Sequence, residues 1–306
     1  MDLENDFIYE TIDLENDYDG KVVSTFISSK RNTGNRKSVL YVHGYVDYFF
    51  HPHMAEEFHA NDFDFFAIDL RKYGRSILPH QHENYCRDVE EYFEEISIAL
   101  QMIDQKSSKI YLMGHSTGGL IVSNYMNDGM NKEMVDGLIL NSPFLEFNQS
   151  AIEKTLSYLL STVMGSLSAF SRINGALSPV YAQSLHKDFF GEWDFNLNWK
   201  PIKGFPAYFK WILAIRMGQR KLKDSNIQVP VLLIHSSGSK KLKKYTEEAT
   251  KNDIVLNIQD MKLIGPKLGV NVQLIEIKDG VHDIFLSKKG VRTKAFKEMF
   301  SWLKDK

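Results

Sequence analysis

Residues Gly114-His115-Ser116-Thr117-Gly118 set a serine inside Gly-x-Ser-x-Gly. An apolar run, residues 109–113, precedes it, and a helix-compatible run, residues 120–126, follows at once. That strand–turn–helix context is the one in which the pattern means a nucleophile elbow. The turn is so tight that the serine takes a strained backbone and bulk on either side would clash, hence Gly114 and Gly118. The strain points the hydroxyl out over the end of a sheet. The following helix aims its N-terminus at the same spot, where an oxyanion would form. The bare pattern arises by chance in roughly one chain in ten of this length, so its flanks and partners must carry the inference.

Bulk properties bound the rest. The 306 residues are 43% hydrophobic and 25% charged, an ordinary globular balance with length to bury a core. Net charge is −2, and the basic runs at 216–223 and 240–244 read as solvated faces, so no nucleic-acid partner is expected. Cys86 is the only cysteine; it excludes an internal disulfide and reads as structural. No run reaches the eighteen or so apolar residues of a spanning helix, and residues 1–6 are acidic, unlike a signal peptide. The expectation is a cytoplasmic protein without stable membrane insertion.

In chain order, residues 7–12 and 21–27 are β-rich around the turn chemistry of Asn16-Asp17-Tyr18-Asp19-Gly20, an N-terminal hairpin. The acids Glu15, Asp17 and Asp19 hint at a calcium loop, but Phe26 stands where its closing Glu belongs. Residues 38–42 form a buried strand ending in His43-Gly44-Tyr45. Gly44 lets the chain turn sharply and bring the Tyr45 amide near the serine as one oxyanion donor; the Thr117 amide is the other. His43 reads as a hydrogen-bonding buttress of that loop. Tyr48-Phe49-Phe50 is expected to wall an apolar pocket. His51, His53, His59, His80 and His82 lack the i, i+4 spacing or accompanying cluster of a metal site, so neither metal nor cofactor is expected.

A helix at 54–60, a strand at 63–70, a helix at 89–103 and strands at 109–113 and 137–142 then alternate. That rhythm, with continuous apolar strands, means a parallel sheet with right-handed crossovers. It breaks from about 144 to 205. Residues 152–170 show one apolar helical face (Leu156, Leu159, Leu160, Val163, Met164, Leu167, Phe170), weakened by Gly165 and serines. An insertion here lies over the carboxyl ends of the strands and reads as a helical cap, with some of the aromatics Phe189 to Trp211 lining an acyl-sized groove. Strands at 229–234 and 271–277 and a helix at 290–303 complete one domain, residues 1–306.

A serine needs a base within hydrogen-bond reach and a carboxylate to orient it. On this topology the order is Ser, acid, His, with the base after the last strand, where His282 stands. The loop after the preceding strand, His235-Ser236-Ser237-Gly238-Ser239-Lys240, holds no carboxylate. Of the next candidates, Glu247, Glu248, Asp253 and Asp260, we favour Asp253, which precedes the apolar anchor Ile254-Val255-Leu256; Asp260 reads as a helix-start residue. Asp279 and Asp283 flank His282 too closely to face its ring.

The chain resembles the α/β-hydrolase fold, and within it the serine aminopeptidase-like group of lysophospholipases and monoacylglycerol lipases. The resemblance rests on His43-Gly44, Asp69-x-Arg71-x-x-Gly74-x-Ser76, Gly114 to Gly119 and Gly280-Val281-His282-Asp283, in family order. It implies a mostly parallel eight-stranded sheet flanked by helices, Ser116 as nucleophile, His282 as base, and Tyr45 and Thr117 as oxyanion donors. Asp253-Ile254-Val255 resembles a displaced form of the family's Asp-x-Val. The expected activity is hydrolysis of small-molecule acyl esters such as lysophospholipids or monoacylglycerols. Two rivals stay open: a peptidase, which needs carboxylates such as Glu192 and Asp194 near the serine, and a hydrolase-fold binding protein without turnover.

Overall fold

The computed structural model describes residues 1–34, 36–104, 107–175 and 177–306. An N-terminal hairpin, β1 (Phe7–Asp17) and β2 (Gly20–Ser29), pairs antiparallel and leads into the sheet through β2 and β4 (Phe63–Asp69). β3 (Lys37–Val42), β5 (Lys109–His115), β6 (Gly137–Asn141), β9 (Val231–Ser236) and β10 (Val272–Ile277) continue it in parallel. The order is β1-β2-β4-β3-β5-β6-β9-β10, the eight-stranded, mostly parallel sheet expected. The hairpin's acids serve the fold: Asp17 and Asp19 close on the buried ammonium of Lys72 at 2.7 and 2.9 Å.

Alternate residues of the parallel strands enter two cores. Leu40, Val42, Leu112, Leu140 and Leu233 face one side; Val39, Tyr41, Met113, Ile139 and Ile234 face the other. That two-sided burial is why these strands read as unbroken apolar runs. The first side is covered by α2 (Phe93–Asp104), α3 (Thr117–Asp128) and α6 (Phe209–Lys221), the second by α1 (His53–Ala60) and α8 (Lys289–Lys304). α2 starts later than its pattern implied. Asp88 and Glu91 form a capping box around a 3-10 turn, Val89–Tyr92, and the α-helix begins only after it.

From β3 the chain moves to β4 on one side, then crosses to β5 on the other. Neighbouring strands whose connections leave in opposite directions open a crevice at their carboxyl ends. Val42 pairs with Gly114, so His43-Gly44-Tyr45 and Ser116 flank that crevice.

Between β6 and β9 lie α4 (Ala151–Leu167), β7 (Arg172–Ile173), α5 (Pro179–Leu185) and β8 (Ala207–Tyr208), followed by α6. The apolar face of α4 points outward. Ile152, Leu156, Leu159, Leu160, Val163 and Leu167 are 50% to 76% exposed, while Ser161 and Gly165 are its buried residues. The small residues that weaken the helical pattern are therefore its packing face, set against α6, with the Lys210 stem beside Gly165.

Candidate active site

Ser116 sits at the β5–α3 junction with φ 51° and ψ −116°. Such a conformation costs on the order of 1–3 kcal/mol and persists only where its surroundings over-determine it. They do so here: the Ser116 N–H donates to the Asn141 carbonyl at 3.0 Å, and the Ser116 carbonyl accepts from Phe144 at 2.9 Å and Leu120 at 3.2 Å. The flanking glycines answer to close approach. A Cβ on Gly118 would stand 2.3 Å from the His43 carbonyl oxygen, and one on Gly114 2.6 Å from Val122.

His282 lies on the loop after β10, with Nε2 2.9 Å from Ser116 Oγ and Nδ1 2.8 Å from Asp253 Oδ2. The other oxygen of Asp253 accepts the N–H groups of Val255 and Leu256, both at 2.8 Å. All three side chains are buried. The distance of Asp253 from β9 along the chain has a physical account. Its N–H donates to the Gly238 carbonyl and its carbonyl accepts from Lys240, both at 2.9 Å, so it returns to bridge beside Ser239 at the strand end. Residues 241–251 form a detour outside that bridge. Asp260 lies in the first turn of α7 (Ile258–Ile264); Asn257, not Asp260, caps that helix.

Tyr45 and Thr117 line one cavity with Ser116 and His282. Tyr45 stacks on Trp211 at 4.1 Å between ring centres, and its hydroxyl reaches the Pro206 carbonyl at 3.3 Å. Thr117 opens α3, where first-turn amides have no partner within the helix. His43 buttresses the loop: one ring nitrogen accepts the Leu70 N–H at 3.0 Å, which leaves the other to donate to the Gly44 carbonyl at 2.8 Å. Burial lowers its pKa and that of His115 below the ordinary imidazole range, so both are neutral near pH 7.

The cavity holds about 800 Å³ and its walls are largely apolar, among them Phe144, Phe147, Leu160, Ile212 and Trp211. Asp47 is its one carboxylate among the described lining residues, and the Lys200 ammonium binds it at 2.6 Å. Burial pushes Asp47 up, but Lys200 and the neighbouring imidazoles of His115 and His43 together hold the carboxyl below its ordinary range. Glu192 and Asp194 do not come to the serine; they pair with Arg292 and Lys187 and line no part of the cavity. Tyr48-Phe49-Phe50 also departs from expectation. Phe49 dives into the core against Phe7 and Phe65, while Tyr48 and Phe50 pack with Leu185, Phe195 and Val281. The Phe49 N–H bond to Asp69 at 2.9 Å turns the segment away from the cavity.

Sequence reasoning missed Asn141, Tyr181 and the Asp47–Lys200 pair. A buried strand ending in a polar residue was the one available signal for Asn141. Among the described residues no three His, Cys, Asp or Glu side chains gather as metal ligands. Nor, among them, is any helix long and apolar enough to cross a membrane.

A strained serine at a strand–helix turn, beside the switch point of this sheet, defines an α/β-hydrolase. More particularly, the family model "Serine aminopeptidase, S33" matches residues 33–286, and the chain belongs to that family. No curated protein sequence matches it significantly. Among solved structures it is similar to a soluble variant of the Saccharomyces cerevisiae monoglyceride lipase bound to a substrate analogue. Identity is 18%, over 97% of this chain and 95% of that one, with TM-score 0.71. Paleococcus ferrophilus monoacylglycerol lipase gives 17%, 97%, 98% and 0.65. Est1E of Butyrivibrio proteoclasticus with ferulic acid gives 15%, 96%, 100% and 0.60. At these identities the likeness is one of fold.

Proposed function

We propose that the protein is a serine hydrolase of carboxylic esters and that Ser116, His282 and Asp253 are its catalytic residues. The observation that carries this reading is the His282 ring, hydrogen-bonded on one side to a strained serine and on the other to a buried carboxylate. Ser116 Oγ attacks the acyl carbon as His282 Nε2 takes its proton. Asp253 fixes the ring with Nδ1 protonated and stabilises the imidazolium. The amides of Tyr45 and Thr117 hold the tetrahedral oxyanion, each worth about 2–4 kcal/mol of barrier. The intermediate collapses, the C–O bond breaks, and Nε2 gives its proton to the leaving alkoxide. Water, deprotonated by His282, then attacks the acyl-enzyme and releases the acid.

The substrate is an acyl ester of lipid type, a monoacylglycerol or lysophospholipid, and the insertion at about 144–205 serves as a cap over the serine in a single domain. The apolar cavity supports an acyl chain there, and the exposed aliphatic face of α4, whose Leu160 also lines the cavity, supports a substrate met at a lipid aggregate. The absence of a free carboxylate among the described lining residues weighs against a substrate with a free amine.

A fluorophosphonate probe should label the protein, and Ser116→Ala should abolish labelling. Activity on p-nitrophenyl esters should fall by about 10⁴-fold in Asp253→Asn, through the wrong imidazole tautomer. An intact protein that takes no label and cleaves no ester of any chain length is a binding protein, and the reading fails.

A further inference from the structure

Two buried residues outside the proposed triad meet beside it, at the end of β6 and on the loop just after His282. Asn141 ends β6 and Asp283 follows His282, and both side chains are buried. Asn141 Nδ2 donates to Asp283 Oδ1 at 2.7 Å, and Asn141 Oδ1 accepts the Ile284 N–H at 3.2 Å. The amide thus grips the loop just after His282 with both of its ends. Asp283 Oδ1 also accepts the Phe285 N–H at 3.1 Å and caps the short turn Ile284–Leu286. On its other side, the backbone carbonyl of Asn141 accepts the Ser116 N–H at 3.0 Å. One residue therefore holds the backbone of the nucleophile by its carbonyl and the loop of the base by its side chain. The cap segment adds a bond of its own: the Asp283 N–H donates to the Tyr181 hydroxyl at 3.0 Å.

We propose that Asn141 and Asp283 form a positioning pair that sets the distance between Ser116 Oγ and His282 Nε2; this rests on the serine-hydrolase reading above. The pair touches no reacting atom. Buried neutral side chains could have filled this space without the cost of taking a carboxylate out of water. What the polar pair adds is directionality, since hydrogen bonds fix angle as well as distance where apolar contacts fix neither tightly. The His282 loop leaves the carboxyl end of β10, and β9 and β6 lie between that strand and the one that carries the serine. A displacement of about 1 Å at such a site costs on the order of 10²-fold in rate.

The test compares kcat and KM on a soluble p-nitrophenyl ester with thermal stability, across four variants and Ser116→Ala. Asn141→Ala removes both side-chain bonds but keeps the carbonyl that holds Ser116. Asp283→Ser keeps a hydroxyl to cap the turn and loses the cross-link, so it provides a folded alternative should Asn141→Ala not fold. Each should lower kcat by about 100-fold with KM nearly unchanged. Asp283→Asn still accepts both N–H groups and should restore kcat to within about fivefold of the wild type. The double variant Asn141→Ala with Asp283→Ser should fall little below the worse single variant, because both remove one shared contact.

Folded single variants with wild-type kcat, or losses that multiply in the double variant, overturn the pair while the hydrolase reading stands. A wild-type protein inert to esters, and indistinguishable from Ser116→Ala, brings down both.

Discussion

The two halves of the segment between β6 and β9 are built on opposite terms. The half from α5 to residue 200 is tied to the loops that hold the site. Tyr181 accepts from Asp283, the Trp193 indole donates to the Leu286 carbonyl at 2.8 Å, and the Asn196 N–H donates to the Tyr48 hydroxyl at 2.7 Å. His53 stacks on Trp193 at 4.6 Å, and Lys200 reaches Asp47, two residues beyond Tyr45. The α4 helix itself makes no such bond to those loops among the described residues. The ties of its half lie just before it, where the Phe144 N–H donates to the Ser116 carbonyl and Asn148 Nδ2 donates to the Val255 carbonyl at 3.3 Å. The helix rests on α6 through Ser161 and Gly165 and turns its aliphatic side chains to solvent. Directional contacts gather around the loops that follow β3 and β10. Non-directional apolar surface gathers at the cavity's outer wall, where a hydrocarbon chain would arrive. On the function proposed above, the same stretch of chain separates alignment from capture.

Lys200→Met puts this contrast to its hardest test. It leaves Asp47 buried without its cation, and stability should drop by about 3–5 kcal/mol in thermal unfolding. Adding Asp47→Leu should recover most of that loss; a single variant as stable as the wild type would erase the distinction between the halves.

Acid should loosen the tied half next. Burial drives the His51 pKa down to about 4 and that of His53 to about 3. In the unfolded chain these rings titrate near 6.5, so between that pH and about 4 the unfolded state binds more protons. Stability is then lost as pH falls through this window, by on the order of 3 kcal/mol for His51. The melting temperature should fall from pH 6.5 to 4, and His51→Phe should flatten the slope.

A smaller effect belongs to α4. Leu159→Glu with Val163→Glu should leave kcat on a short, monomeric ester within about twofold, since neither side chain lines the cavity. On aggregated monoacylglycerol the rate should fall about tenfold, as apolar contact with the aggregate is lost. Equal losses on both substrates would mean that α4 aligns rather than captures. The smallest change is a gain. A Cβ at Gly165 meets only the flexible Lys210 stem, at 3.4–3.5 Å. Gly165→Ala should therefore raise stability by about 0.5–1 kcal/mol through helix propensity.

The sequence made the central strands legible because both their faces are buried, and the meeting of Ser116 with His282 was legible because topology orders the loops that carry them. The place of Asp253 beside His282 could be read from its apolar followers, two of which, Val255 and Leu256, donate backbone bonds to its carboxylate. The orientation of α4 was not legible. Periodicity reveals which face is apolar but not whether another layer covers it. Tyr48 to Phe50 misled for a related reason: aromatic residues fill cores and pockets alike, and the choice depended on a bond to Asp69, 20 residues away. Asn141 and Asp283 meet across 142 residues, beyond any local pattern.

The bridge between Ser239 and Asp253 carries a consequence for descent. Because the two ends of the excursion are stitched together at the strand's tip, the largely exposed residues 243–248 between them can change in length or character without loosening the bridge that seats the carboxylate. A relative could carry a different rim there while the stitched strand end stayed as it is.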